Sequence, residues 1–202
     1  MLRGAIVFAA VSVAGFGVWA FAGGWLAVHT GEAGLYLACA LVFLVLSGLA
    51  LHPLVQGAGS VGRFYKIFVP AFCAYAIAWC AAWFAFGFGL GEWLASLLGS
   101  TAFAAVAGWG FRCFRSFTKV SLVLFALHSA GYFLGGKTMG WSMGPGAGAM
   151  LAGIPKAELY TLGKLSWGLF YGAGFGAGLG FTFFTFQNPN PAPPRTPSQN
   201  VS

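Results

Sequence analysis

Aspartate is absent from this chain, and glutamate occurs only as Glu32, Glu92 and Glu158. Charged residues make up 6% of the 202, against about a quarter in a soluble domain. That is too little charge to coat a water-facing surface. The acidic shortage also removes chemistry. Paired carboxylates for general acid and base work are missing, as are an HExxH metal motif and a Walker loop. Gly135, Gly136 and Lys137, and the glycines at 144, 146 and 148, lack the spacing and the GK[ST] ending of a phosphate loop. The four cysteines, Cys39, Cys73, Cys80 and Cys113, include no CxxC pair and have no histidine at zinc spacing, so they read as buried apolar packing.

What is present is apolar. Hydrophobic residues make up 59% of the chain and the mean hydropathy is +0.82. A charge at the centre of a bilayer costs about 3 kcal/mol on insertion scales, so charge-free runs of about 20 residues mark crossings. These runs predict an all-α, polytopic transmembrane bundle of about six helices, at 4–28, 33–50, 67–91, 93–111, 120–136 and 165–186. His52, Pro53 and the polar, Gly-rich stretch 56–60 end the second helix. Gly91, Glu92 and Trp93 mark a tight turn that pairs the third and fourth helices antiparallel. Residues 187–202, proline-rich and polar, predict a disordered tail.

The basic residues set an orientation. Arg3, Arg63, Lys66, Arg112, Arg115, Lys119 and Arg195 fall on one side of a six-helix arrangement, and Lys137, Lys156 and Lys164 on the other. The richer side is predicted to be cytosolic, with both termini there, in a plasma or inner membrane. The net charge of +7 is thereby read as topology, not as a nucleic-acid surface. All three glutamates and Trp25, Trp93, Trp141 and Trp167 fall at the opposite boundary, as interfacial aromatics do. Two alternatives stay open. Ala20, Phe21 and Ala22 after a basic start resemble a signal-peptide cleavage site, although the apolar run continues through Val28 and reads more simply as an uncleaved helix. The uncharged stretch 138–155 gives eight basic residues against two if it makes a seventh crossing. Gly140, Gly144, Gly146, Gly148, Gly153 and Pro145 make it a poor helix, however, and favour a re-entrant or interfacial loop before the last crossing.

Four features are candidates for function. Gly168, Gly172, Gly176 and Gly180 recur every four residues, with Gly174 and Gly178 as a second pair. This is a glycine zipper, a device for backbone approach within the bundle, between protomers or to a ligand. His128 is the one ionisable residue near the middle of a predicted crossing, where it must be neutral and hydrogen-bonded or face a wet cavity. Phe72, Tyr75, Trp79, Trp83 and Phe86 form an aromatic stripe, with Phe84 and Phe88 on an adjacent face, for packing or lipid contact. Gly144, Gly146 and Gly148 form a candidate pore or partner loop.

No residue pattern names a cofactor. Haem ligation by His128 needs a second histidine at similar depth, but His29 and His52 fall near opposite surfaces. No predicted crossing contains the carboxylates or bases that energy-coupled transporters place at the midplane. The expected function is that of a non-catalytic accessory or scaffold subunit of a membrane assembly. The alternative is a passive channel or transporter for a small solute or ion, with an intramembrane enzyme using His128 ranked behind both. The expected partners are the lipid bilayer and either further copies of the chain or other membrane subunits, with no nucleic acid.

Overall fold

The computed structural model describes residues 1–57, 59–145, 147 and 153–188. The tail from 189 onward, together with Gly146 and Gly148, lies outside them. Among the described residues every regular element is helical: α1 (Leu2–Gly17), α2 (Gly23–Leu51), α3 (Ser60–Phe86), α4 (Glu92–Phe111), α5 (Phe117–Met143) and α6 (Lys156–Gln187). Four helical segments are long and apolar enough to cross a membrane, namely Leu2–Leu54, Ser60–Phe111, Phe117–Met143 and Lys156–Gln187.

The first two segments fold back on themselves at glycines. A π-helical turn, Val18–Ala22, carries α1 into α2, and the chain reverses at Gly31, whose φ of 71° and ψ of 178° are forbidden to most other residues. Gly23 then lies beside Leu35 and Gly15 beneath the ring of Phe43, so the two arms run antiparallel. The second reversal uses Gly87 and Gly89, at φ 68° and 76°. Glu92 stabilises it by accepting the Gly89 N–H at 3.1 Å. Beyond this turn Tyr75 packs on Gly99 and Ile67 on Gly110, which makes α3 and α4 an antiparallel pair.

Several helices are longer than their charge-free runs. α3 starts at Ser60 and includes Arg63 and Lys66, α5 continues from Gly136 to Met143, and α6 begins at Lys156 instead of near 165. Long basic side chains lay their methylene stems along a helix and carry the charge to its end. The half-buried Lys164 ammonium is held instead by a neighbouring segment, 4.6 Å over the Trp19 ring and 3.5 Å from the Trp19 carbonyl oxygen.

α6 is the central post, packed on α1 along one face and on α5 along another. A Cβ at Gly172 would come under 3 Å from the Ala9 backbone, and one at Gly176 would overlap the Gly4 carbonyl. Gly168 leaves room for Phe16, and Gly180 meets Met1. On the other face Gly174 lies against Leu127 and Gly131, Gly178 against Leu124, and Gly135 of α5 against Trp167. Around these contacts Phe8, Phe64, Phe68, Phe103, Phe175 and Phe183 fill the core, each fully buried.

The outside is also apolar. Ile77, Phe84, Trp109, Leu122 and Leu37 are all exposed along the helix faces. Cys73 and Cys80, expected to be buried, are exposed, while Cys39 and Cys113 are half-buried. A small apolar side chain carries no signal separating the two environments when the outer surface is as apolar as the core. The aromatic stripe divides in the same way: Phe72 and Tyr75 enter the core, while Phe86 and Phe88 lie outside.

Filling the α6 cleft predicts a large asymmetry between substitutions. Gly172→Leu or Gly176→Leu should destabilise the fold by about 1–3 kcal/mol or more, whereas Leu169→Ala, at an exposed position, should change it by less than about 0.5 kcal/mol. Thermal unfolding in detergent measures the difference. Equal melting temperatures in all three variants would contradict close packing on this face.

Candidate functional site

The polar interior centres on His128. Gly131, Gly135, Gly174 and Gly178 bring α5 against α6, which sets His128 and Tyr171 side by side, their ring centroids 5.5 Å apart. Tyr75 arrives from α3, its ring held over Gly99 of α4. Its hydroxyl lies 2.8 Å from His128 Nε2 and 3.2 Å from the Tyr171 hydroxyl. Tyr132, one turn beyond His128 on α5, stacks on the imidazole at 6.1 Å, and Phe175 closes the remaining side at 5.6 Å.

Three helices thus share one hydrogen-bonded chain. It runs in either of two directions. In one, Tyr171 donates to Tyr75, which donates to Nε2, leaving the ring proton on Nδ1. In the other, the Nε2 proton is donated to Tyr75, which donates to Tyr171. The Nδ1 atom is buried and has no hydrogen-bond partner among the described residues. Since a buried donor or acceptor without a partner costs free energy, the Tyr75 hydroxyl is the group that keeps His128 tolerable at this depth.

A second polar link lies closer to the end of the bundle. Glu92, at the start of α4, accepts from the Tyr132 hydroxyl at 3.1 Å as well as from the Gly89 N–H. Both oxygens of the one carboxylate therefore tie the α3–α4 turn to α5. Beside it is a cavity of about 350 Å³ lined by Glu92, Tyr132, Lys137, Met139 and Trp167 among others. The Tyr132 ring separates this cavity from His128, and neither His128, Tyr75 nor Tyr171 lines it.

The predicted candidates are not brought to one place. His128 is at the core, and Gly168, Gly172, Gly176 and Gly180 lie on the α6 face toward α1. Gly144 caps α5 at the end that carries the outer cavity. His29 stacks on Trp25 near the Gly31 reversal, and His52 opens the 3-10 turn after α2, so neither approaches His128. Tyr171 and Tyr132 belong to the polar interior without standing out in the sequence, Glu92 stood out only as a turn residue, and Tyr75 only as part of an aromatic stripe. The available signal was Tyr132 one helical turn from His128, together with a tyrosine inside the glycine stripe.

The chain matches no protein-family model, no curated protein and no solved structure.

The hydrogen-bonded chain ranks two isosteric changes. Tyr75→Phe removes both bonds and strands Nε2, with an expected cost of about 1–3 kcal/mol, and Tyr171→Phe removes only the terminal bond and should cost about 0.5–1.5 kcal/mol. Calorimetric or fluorescence melting checks the order, and a Tyr171→Phe variant less stable than Tyr75→Phe would refute it. His128→Asn should retain the fold. Loss of a transport or binding activity with the fold intact would convert His128 from a structural group into a site.

Proposed function

We propose that the chain is an integral membrane protein of a plasma or inner membrane, crossing six times with both termini cytosolic, and that it serves as a non-catalytic accessory or scaffold subunit of a membrane assembly. The observation that carries this reading is an apolar outer surface wrapped around a core that its own side chains already fill. Lysine, arginine and glutamate side chains gather instead toward the two ends. Arg3, Arg63, Lys66, Arg112, Arg115 and Lys119 lie toward one end, and the three glutamates with Lys137, Lys156 and Lys164 toward the other.

Six crossings are supported by length and by the reversals. The segments Leu2–Leu54 and Ser60–Phe111 contain 53 and 52 residues, each more than twice the roughly 20 needed for one passage, and each folds back at a glycine. A seventh crossing is disfavoured. Gly163 packs on Ser142 and Met139, so α5 ends at the same end of the bundle where α6 begins. Gly144 closes α5 at that end, within reach of a partner, while Gly146 and Gly148 lie outside the described residues.

The glycine face of α6 supports packing inside the chain, since α1 occupies it. A second copy or another membrane subunit therefore uses a different surface. α2 offers one, with Trp25, Val28, Tyr36, Leu37 and Leu41 exposed along its outer part. The alternative reading, passive movement of a small solute or ion, draws on the outer cavity beside Glu92 and the glycine segment. The ring-filled core between that cavity and the basic end weighs against it.

Two measurements test the proposal. With the four native cysteines replaced, Ser198→Cys should resist an impermeant maleimide in sealed cells while Ala157→Cys reacts, and labelling of both or the reverse pattern would refute the topology. Gentle solubilisation and native mass measurement should find the chain with further copies or another membrane subunit. A lone monomer that conducts solute after reconstitution would replace the scaffold reading with the channel.

A further inference from the structure

A cavity of about 470 Å³ opens at the basic end, where α4 gives way to α5 and the end of α6 meets the turn after α2. Arg63, Arg112 and Arg115 line it together with Gln56, Gln187 and Phe186. Its floor is built. Gln187 accepts the Gln56 N–H at 2.7 Å and donates to the Leu54 and Phe183 carbonyls at 2.9 and 2.8 Å. Arg63 donates to the Gln56 carbonyl at 3.2 Å and sits 5.9 Å over the Phe111 ring, so its guanidinium is held in place.

The backbone at Arg112 is the second observation. α4 ends in a Schellman turn, with the Arg112 N–H on the Trp109 carbonyl at 3.0 Å and the Cys113 N–H on the Gly108 carbonyl at 2.8 Å. The residue that closes such a turn is left-handed and usually glycine. Here it is arginine, at φ 55° and ψ 37°, the one non-glycine residue with positive φ among the described residues. A left-handed non-glycine residue costs about 1–2 kcal/mol, so the turn alone does not favour this side chain. The bend also sets Arg112 and Arg115 in the lining that they share with Arg63.

Every glutamate of the chain belongs to the opposite end, at Glu32 beyond the Gly31 reversal, at Glu92 and at Glu158. Arg63 and Arg112 therefore line one cavity at an end that has no glutamate, and Arg115 lines it beside them. Planar guanidinium forks match phosphate oxygens, and such charge-assisted bonds are about twice as strong as neutral ones. The aromatic side of the same cavity, at Phe186 and Phe111, suits the carbon skeleton attached to such a group.

We propose that this cavity is a binding site for a phosphate-bearing anion, with Arg63 and Arg112 as its principal contacts. The anion's source is either a lipid headgroup or free phosphate. The site is independent of the scaffold reading, and its soluble arm is independent of the membrane reading as well.

The full-length protein in detergent is titrated separately with inorganic phosphate, phosphatidylglycerol and phosphatidylcholine, and binding is read from thermal shift and native mass spectra. Binding of inorganic phosphate identifies a free anion, and binding of phosphatidylglycerol alone identifies a lipid headgroup, with phosphatidylcholine weaker in either case. Arg112→Gly and Arg63→Gln should each weaken the bound anion by about tenfold or more. Lys119→Gln, at the same end but outside the cavity, should change it by less than about twofold. Because glycine relieves the strained turn, Arg112→Gly should keep or raise the melting temperature of the unliganded protein, which separates lost binding from lost folding. No binding of either anion, unchanged affinity in both arginine variants, or equal loss in Lys119→Gln would overturn the site.

Discussion

Backbone contact on two faces of one helix organises this protein. α6 meets α1 through Gly172 and Gly176 and meets α5 through Gly174 and Gly178, with Gly4 and Gly131 completing the contacts from the other side. In apolar surroundings helices gain little by hiding hydrophobic area from lipid, so association depends on close van der Waals packing. Glycine permits that packing at the expense of helix propensity, about 1 kcal/mol per residue relative to alanine. Dispersion attraction, small for each atom pair but summed along the whole stripe, offsets this cost.

The rest of the interior follows from that central post. With α5 drawn against α6, His128 and Tyr171 become neighbours, and Tyr75 bridges them from α3 because Gly99 leaves its ring a seat on α4. The polar chain then joins three helices in one register. Outside this cluster small hydroxyls such as Ser12, Ser47 and Ser100 stay buried among the helices, while the charged and amide side chains lie toward the ends. Glu92 ties the α3–α4 turn to Tyr132, and Gln187 ties the end of α6 to the turn after α2. The middle of the bundle is thereby closed by aromatic rings, and the groups able to meet a soluble or charged partner sit at its two surfaces.

Much of this architecture can be read from residue order, and the exceptions have physical reasons. Charge-free runs locate the apolar body of each helix, but the turn expected at 91–93 lies ahead of that, at Gly87 and Gly89, because the positive φ it needs falls to glycines between apolar neighbours, and Glu92 and Trp93 already belong to α4. The runs understate helix length because Lys137, Lys156 and Lys164 remain helical, the first two exposed and the third held against the Trp19 carbonyl. The four-residue glycine spacing announces a close approach but not what approaches, since α1 meets it with Gly4, Phe8, Ala9, Ser12 and Phe16, a face that carries no glycine stripe of its own. Cys73 and Cys80 read as buried packing but are exposed, because the outer and core positions of this bundle carry the same apolar chemistry. The partners of His128 depend on the rotation of α3 and α6 about their axes, which a single sequence with apolar residues on every face does not specify.

If the glycine contacts on α6 are made within one chain, they must survive separation of one copy from another. Nuclear Overhauser measurements on isotopically labelled protein, diluted with unlabelled protein, test this directly. Hα cross-peaks between Gly131 and Gly174 and between Gly4 and Gly176 are expected to persist on dilution. Cross-peaks that disappear on dilution, or that are absent in a folded sample, would contradict a helix post packed within its own chain.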